Sequence, residues 1–419
     1  MYYLYNVLIY LAAPIAILVQ LWRGLRDPSY RGSLSERLGF GPPVEGPTIW
    51  VHAVSVGEVQ ASQPLVAELR RRHPGHGILM TTVTPTGAAR ARLLFGDQVR
   101  HRYVPLDLPG AVKRFFDRVQ PKLAMILETE LWPNLYGECG RRGVPLVLAS
   151  ARISPRSVGK YRRLVPLFRK TLSHGIVIAS QSESDAERFR SIGAAPGRTH
   201  ATGNIKFDFQ PPEGIEELGR RWRERNAQGR PVWVAGSTHE GEEAVVLDAH
   251  RRVLEKFPDA LLVLVPRHPQ RFESVRELLA KRGERSANRS TGAAIAPATS
   301  VLLGDTMGEL MTFYAAADVA FVAGSLVPVG GHNLLEPASV GRPVLTGPHN
   351  FNGEEIAQLL MDAGAAIIVS DTEQLAHAVT NLFGDPDLRS VMGAAGKSVL
   401  DANRGALDRL LTLVDPLLD

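Results

Sequence analysis

The sequence predicts an α/β protein of two doubly wound parallel sheets, preceded by one apolar helix. Three observations predict it. From Thr48 onward, short β-branched runs alternate with longer helical patterns, the sign of parallel strands joined by helical crossovers. At 419 residues the chain is too long for one typical α/β layer, so two domains with a cleft between them are expected. The pattern breaks once, between Gln210 and Pro231, where the chain turns polar and charged around Pro211, Pro212 and Gly214.

Residues Tyr2 to Trp22 carry no charged side chain, and about twenty apolar residues are what a helix needs to cross a hydrocarbon core. Segment 1–22 is therefore expected to be a membrane anchor, single-pass or monotopic, with Pro14 tolerated inside it. A cleavable signal would have a basic residue ahead of a shorter apolar run, and none precedes this one. Arg23, Arg26 and Arg31 follow it closely, which puts the body at the cytoplasmic face. The plain alternative is an amphipathic or buried soluble helix, against which the tyrosines and Trp22 stand as interfacial anchors.

In the first domain, residues 23–210, strands are expected near Ile49–Ala53, Ile78–Val83, Leu123–Leu127, Leu146–Ala149 and Ile176–Ala179. The second, residues 211–419, continues with Val232–Ala235, Leu261–Val265, Val301–Leu303, Val319–Val322, Val344–Leu345 and Ala366–Val369. The stretch Ser286–Ala298, rich in Ser, Ala, Thr and Asn, reads as a surface loop. Charge is only mildly positive, 48 Lys and Arg against 43 Asp and Glu, with no dense basic run to track a nucleic-acid backbone. A single cysteine, Cys139, excludes a disulfide framework and any multi-cysteine zinc site.

In open α/β sheets ligands lie beyond the carboxyl ends of the strands, so motifs there come first. His52-Ala53-Val54-Ser55-Val56-Gly57-Glu58 places a carboxylate just past a strand, although a glutamate in a first helical turn also complements the helix dipole. Glu128-Thr129-Glu130-Leu131-Trp132-Pro133 does the same after another strand. Paired carboxylates suit a reaction in which one removes a proton and the other faces developing positive charge; either can equally support a helix start. Lys206, in Gly203-Asn204-Ile205-Lys206-Phe207-Asp208, meets an anion or is a solvated linker lysine.

In the second half, Gly236-Ser237-Thr238-His239-Glu240 resembles a phosphate-binding turn, or Thr238 simply caps a helix. Pro266 and Arg267 end an apolar strand, where a guanidinium can grip a phosphate. Gly324-Ser325, then Gly330-Gly331-His332-Asn333-Leu334-Leu335-Glu336-Pro337, is the most informative run. Its paired glycines allow backbone amides close to a phosphate, and Glu336 is placed to accept from ribose hydroxyls.

Taken together, the apolar first segment, AVSVGE, ETELWP, GNIKFD, VPRHP, DTMGEL and GGHNLLEP resemble the bacterial 3-deoxy-D-manno-octulosonic acid (Kdo) transferases over nearly the whole chain. The resemblance implies a GT-B fold of two Rossmann-like domains and a membrane-anchored, inverting, metal-independent enzyme with no cofactor. It implies CMP-Kdo as donor and, as acceptor, the tetraacylated lipid A precursor at the bacterial inner membrane. By position, Glu58 would be the general base, and Glu128 and Lys206 would stabilise the transition state. Pro266 and Arg267, then Met307, Gly308 and Glu309, then Asn333, Leu334, Leu335 and Glu336, would hold CMP. Two other readings are open. A UDP-sugar transferase or nucleotide-sugar epimerase would keep the glycine-rich turn and Glu336 with a different base. A membrane-tethered solute-binding protein would need its body outside the cytoplasm, against the arginines that follow the anchor.

Overall fold

The computed structural model describes residues 2–26, 30, 34–128, 130–153, 158–159, 161, 165, 167, 175–227, 229–292 and 295–418. Arg31 and Thr129 lie outside these residues. The first sheet contains β1 (Thr48–His52), β2 (Gly77–Thr82), β3 (Arg100–Tyr103), β4 (Leu123–Leu127), β5 (Leu146–Ala151), β6 (Val177–Ser180) and β7 (Thr199–Ala201). The second contains β8 (Val232–Thr238), β9 (Leu261–Pro266), β10 (Ser286–Asn288), β11 (Val301–Leu303), β12 (Val319–Val322), β13 (Val344–Thr346) and β14 (Ala366–Ile368).

Every strand pairing is parallel. The strand orders are β3-β2-β1-β4-β5-β6-β7 and β10-β11-β9-β8-β12-β13-β14. In each sheet the chain winds outward both ways from one adjacent pair, β1/β4 and β8/β12. Crossovers leave such a pair in opposite directions and open a crevice beyond its carboxyl ends.

The central strands form because they are largely apolar on both faces. TIWVH, LAMIL and LLVLVP are buried at every position, as a strand covered on both faces by helices requires. Three strands escaped the sequence reading: β3, β7 and β10. β3 reads Arg-His-Arg-Tyr, without a β-branched run. β10 occupies the start of the stretch taken for a loop, where Ser286, Ala287 and Asn288 pair with Val301, Leu302 and Leu303. All three lie at a sheet edge, where one ladder suffices to hold a strand of weak propensity.

The chain divides into two compact units, one of Met1–Phe209 with Asn403–Asp419, the other of Gln210–Ala402. The last residues therefore belong with the first sheet, which corrects the assignment of 211–419 to one domain. Ala406, Leu410, Leu411 and Val414 of the C-terminal helix share a buried cluster with Ile49, Val51, Leu65 and Leu127. Asp208 fixes the start of that helix, its two carboxylate oxygens accepting from the amides of Gly405 and Leu407, each at 2.6 Å. An apolar helix face looks the same in sequence whichever sheet covers it.

The N-terminal helix runs Tyr2–Arg26 with Pro14 inside, and an 18-residue window within Tyr2–Leu25 has a mean hydropathy of 2.0. It is long and apolar enough to cross a membrane. One stripe of it rests on the first unit, where Ala13 packs with Leu108 and Ala111.

Asp208→Ala removes a charged cap at a helix N-terminus, and we expect it to lower unfolding stability by about 1–2 kcal/mol. Urea denaturation measures this. An unchanged midpoint would mean that the cap contributes nothing to docking the C-terminal helix.

Candidate functional site

At the first crevice, β1 ends at His52 and the chain turns into a short helix, Val56–Ala61. Ser55 caps it, accepting from the Glu58 amide, while the Glu58 carboxylate takes the Val54 amide at 2.8 Å and the Ser55 hydroxyl at 3.1 Å. This reciprocal cap holds Glu58 in one rotamer at the strand end. Burial, then the negative charge of Glu128, pushes the Glu58 carboxyl up to about 7, in spite of its two hydrogen bonds.

Glu128 follows β4 directly, with φ +56°, a left-handed backbone that a glutamate rarely adopts. Lys206 donates to its Oε1 at 2.7 Å, and Arg152 faces its Oε2 at 3.3 Å. Burial alone would raise this carboxyl, but Lys206 and then Arg152 outweigh it and hold Glu128 below the usual range. Two carboxylates at neighbouring strand ends are thereby driven in opposite directions, one toward an acceptor of protons near neutrality and one toward a permanent anion. Glu130, the other acid of this segment, is engaged by the Trp132 indole N–H, and the Tyr136 hydroxyl donates to its carbonyl. It supports the helix that begins at Pro133.

Lys206 sits on a single 3₁₀ turn, Ile205–Asp208, capped by Asn204. The turn is tied to β5 through Ser150, whose hydroxyl accepts the Ile205 amide at 3.0 Å. Ser150 itself has φ +50° and marks a register shift in the pairing of β5 with β6. Bulges bend the strand that carries them and re-aim its side chains. Sequence reading missed Ser150 and Arg152. Arg152 lies just past the end of β5, as Glu58 and Glu128 lie past β1 and β4, so its position is legible in the sequence; nothing there marks the bulge.

The second unit repeats the device. Ser237, φ +60°, lies at a register shift between β8 and β9. Thr238 is the last residue of β8, and the following helix starts at Glu242 behind Gly241, so Thr238 is not its cap. Glu242 is fully buried and accepts four backbone amides, from His239 (2.9 Å), Gly324 (2.7 Å), Ser325 (3.0 Å) and Leu326 (3.0 Å). It locks the turn after β12 to the turn after β8, another contribution that the sequence did not announce.

Arg267 follows β9, its amide bonded to the Thr238 carbonyl at 3.0 Å. Its guanidinium has no ion-pair partner among the described residues. His239 and His332 approach Nε2 to Nε2 at 2.8 Å, with ring planes 9° apart and centroids separated by 5.1 Å. The rings are thus nearly coplanar and joined end to end by one N–H···N hydrogen bond. Burial, then Arg267, His239 and His268, pushes His332 down to about 3, and burial also lowers His239, so the pair is neutral. Gly324, φ +73°, leaves the room: a Cβ there would lie 2.8 Å from the His332 ring.

The paired glycines have a different reason from the one expected. The Gly331 amide is spent on the Gly324 carbonyl at 2.7 Å, and a Cβ at Gly330 or Gly331 would strike Asn352 or Asn350. Close packing of the 350–352 segment requires them. Beyond them Asn333 donates to Glu336 Oε1 at 3.4 Å and accepts the Leu335 amide at 3.2 Å, while Leu334 and Leu335 are buried beneath. Met307 is exposed, Gly308 has φ +86°, and Glu309 is gripped by Arg289 at 2.7 Å and by Thr306. Among the described residues no group of three or more His, Cys, Asp or Glu side chains is arranged to hold a metal ion.

Residues 32–209 match the family model described as 3-deoxy-D-manno-octulosonic-acid transferase (kdotransferase), and residues 230–399 match that of glycosyl transferases group 1. The chain is 42% identical to the 3-deoxy-D-manno-octulosonic acid transferase of Haemophilus influenzae, in an alignment covering 100% of this chain and 99% of that relative. The chain belongs to the Kdo transferase family. The Bordetella pertussis transferase of the same name is 37% identical, with 96% of each chain covered. Among solved structures, the UDP-GlcNAc 2-epimerase of Neisseria meningitidis has a TM-score of 0.57 at 14% identity, covering 87% of this chain and 100% of that one, a likeness of fold alone. This Kdo transferase is thus a glycosyltransferase of GT-B type, with two Rossmann-like units.

Within the first unit the geometry brings Glu128 and Lys206 into contact. Within the second it gathers Arg267 with the His239–His332 pair. We expect Lys206→Met to cost on the order of 3 kcal/mol, because Glu128 loses its nearest cation while remaining largely buried. The double variant Lys206→Met/Glu128→Gln should recover most of that loss. Urea denaturation of both decides it; equal destabilisation in the two would show that the ion pair is not the source.

Proposed function

We propose that this enzyme moves Kdo from CMP-Kdo to a hydroxyl of the tetraacylated lipid A precursor, at the cytoplasmic face of a bacterial inner membrane, as a step in lipopolysaccharide assembly. The observation that carries this reading is the placement of Glu58 and Glu128 at neighbouring strand ends, Glu58 half-buried with the Val54 amide and Ser55 hydroxyl on its carboxylate and Glu128 held by Lys206 and Arg152. A transfer with inversion needs one base to accept the acceptor's proton and a fixed anion facing an oxocarbenium-like centre. In one displacement the acceptor oxygen bonds the anomeric carbon, the bond from that carbon to the CMP phosphate breaks, and the acceptor's proton passes to Glu58. The new negative charge leaves on the phosphate.

Arg267 is the group suited to that phosphate, as a half-buried guanidinium that no carboxylate among the described residues neutralises. Asn333 and Glu336 offer a donor and an acceptor to the ribose and base, and the turn Met307–Glu309 offers backbone beside them. The reading is metal-independent, since a guanidinium and amide donors can carry the leaving charge that a divalent ion would otherwise stabilise.

Mass spectrometry of the tetraacylated precursor incubated with CMP-Kdo, and in parallel with UDP-sugars, tests the donor and acceptor together. We expect a gain of one or more Kdo masses with CMP-Kdo alone; a gain only with a UDP-sugar would overturn the donor assignment. Because Glu58 must be ionised to accept a proton, kcat/KM should rise with pH to a plateau above about 7. Glu58→Gln should lower kcat at least ~100-fold and abolish that acid limb. A variant that retained both would remove Glu58 as the base.

A further inference from the structure

Of the 25 residues in the N-terminal helix, two sets recur at helical spacing on opposite faces. Tyr2, Asn6, Ile9, Ala13, Ile17, Gln20 and Gly24, with Tyr5 beside them, are the positions at least partly covered. Tyr5 donates to Asp107 Oδ2 at 2.7 Å, and Asn6 accepts from Asn134 at 2.8 Å. Asp107 is only 3% exposed and also accepts the amides of Asn134 and Leu135, at 3.0 and 2.8 Å, so one carboxylate caps the helix Pro133–Arg142 and holds the N-terminal helix. Further along, Ile9 and Ala13 pack with Leu38, Leu106, Leu108 and Ala111.

The opposite stripe is Leu4, Leu8, Leu11, Ile15, Leu18, Trp22 and Leu25, every one more than 40% exposed. A helix that crossed a bilayer would carry its first turn about 30 Å from a domain on the other side. Here the first two turns are the ones bonded to the domain.

We propose that this helix does not cross the membrane but lies in its plane, one polar-studded stripe docked on the first unit and the other sunk into the headgroup–acyl boundary. At about 1.5 Å per residue it lays a ridge of roughly 37 Å on the bilayer. Trp22 sits with the exposed Arg23 at one end of the ridge, the pairing expected where an apolar helix meets anionic headgroups. A second copy of the chain is the competing occupant, since the exposed stripe recurs every three or four residues. It fits less well: the flanking Tyr3, Val7, Val19 and Leu21 are also exposed and apolar, and no charged side chain occurs between Tyr2 and Trp22 to set a partner helix. Lipid covers stripe and flanks alike. The inference rests on the membrane association proposed above and adds its topology.

The test is a cross-link in membranes. Cys139 is 1% exposed and lies in the same helix as Asn134, so the full chain is used in a Cys139→Ala background with Asn6→Cys and Asn134→Cys. Mild oxidation of membranes from expressing cells should close this pair almost completely, and the oxidised protein should float with phosphatidylglycerol vesicles as well as the reduced one. Should that variant fail to fold, Ala13→Cys with Ala111→Cys probes the same docking. Two alkylatable cysteines that never cross-link in the membrane would overturn the proposal. So would a cross-linked protein that leaves the vesicles, or a soluble dimer that does not float. Failure of the reduced full chain to float would instead overturn the membrane association itself, whatever the cross-link shows.

Discussion

The ion pair of Glu128 with Lys206 is the contact on which the working edge of the first unit depends. Glu128 stands in a left-handed backbone that costs about 1–3 kcal/mol, and it persists because the surroundings over-determine it. Lys206 reaches it from a turn held by Ser150 on one side and, through Asp208, by the C-terminal helix on the other. The return of residues 403–419 to this unit therefore does more than fill a core. It braces the turn that carries the cation, and the cation keeps Glu128 ionised beside Glu58.

Glu242 plays the corresponding part in the second unit. Its four backbone donors, drawn from the turns after β8 and β12, fix both sides of the switch between those strands. Around that fixed frame stand the hydrogen-bonded His239–His332 pair and Arg267, which forms no ion pair among the described residues. The two sheets thus share a plan: parallel strands end together, an irregularity at Ser150 or Ser237 bends one interior strand, and a buried carboxylate organises the turns beyond.

Much of this was legible in the sequence, for physical reasons. Runs such as LAMIL and LLVLVP are apolar on both faces and have few other places to go than the middle of a parallel sheet. Once the strands are placed, Glu58, Glu128 and Arg267 fall at their carboxyl ends by counting. What the sequence hid depends on partners far along the chain. Nothing near Asp208 signals that Gly405 and Leu407 will sit on its carboxylate, and β10 is held by β11 rather than by its own propensity. The glycine pair at 330 and 331 was noticed, but its cause, the 350–352 segment packed against it, is twenty residues away. The apolar helix was found too. Its hydropathy spoke for the membrane, whereas the stripe from Tyr2 to Gly24 spoke for the domain only once Asp107 and Asn134 were beside it.

The fold drives two neighbouring carboxyls apart, Glu58 toward neutrality and Glu128 toward a fixed anion. Carboxyl-¹³C NMR of glutamate-labelled protein, assigned with Glu58→Gln and Glu128→Gln, measures it directly. We expect the Glu58 carboxyl to titrate near 7 and that of Glu128 to titrate below the usual carboxylate range. Two carboxyls titrating together in the ordinary range would contradict it.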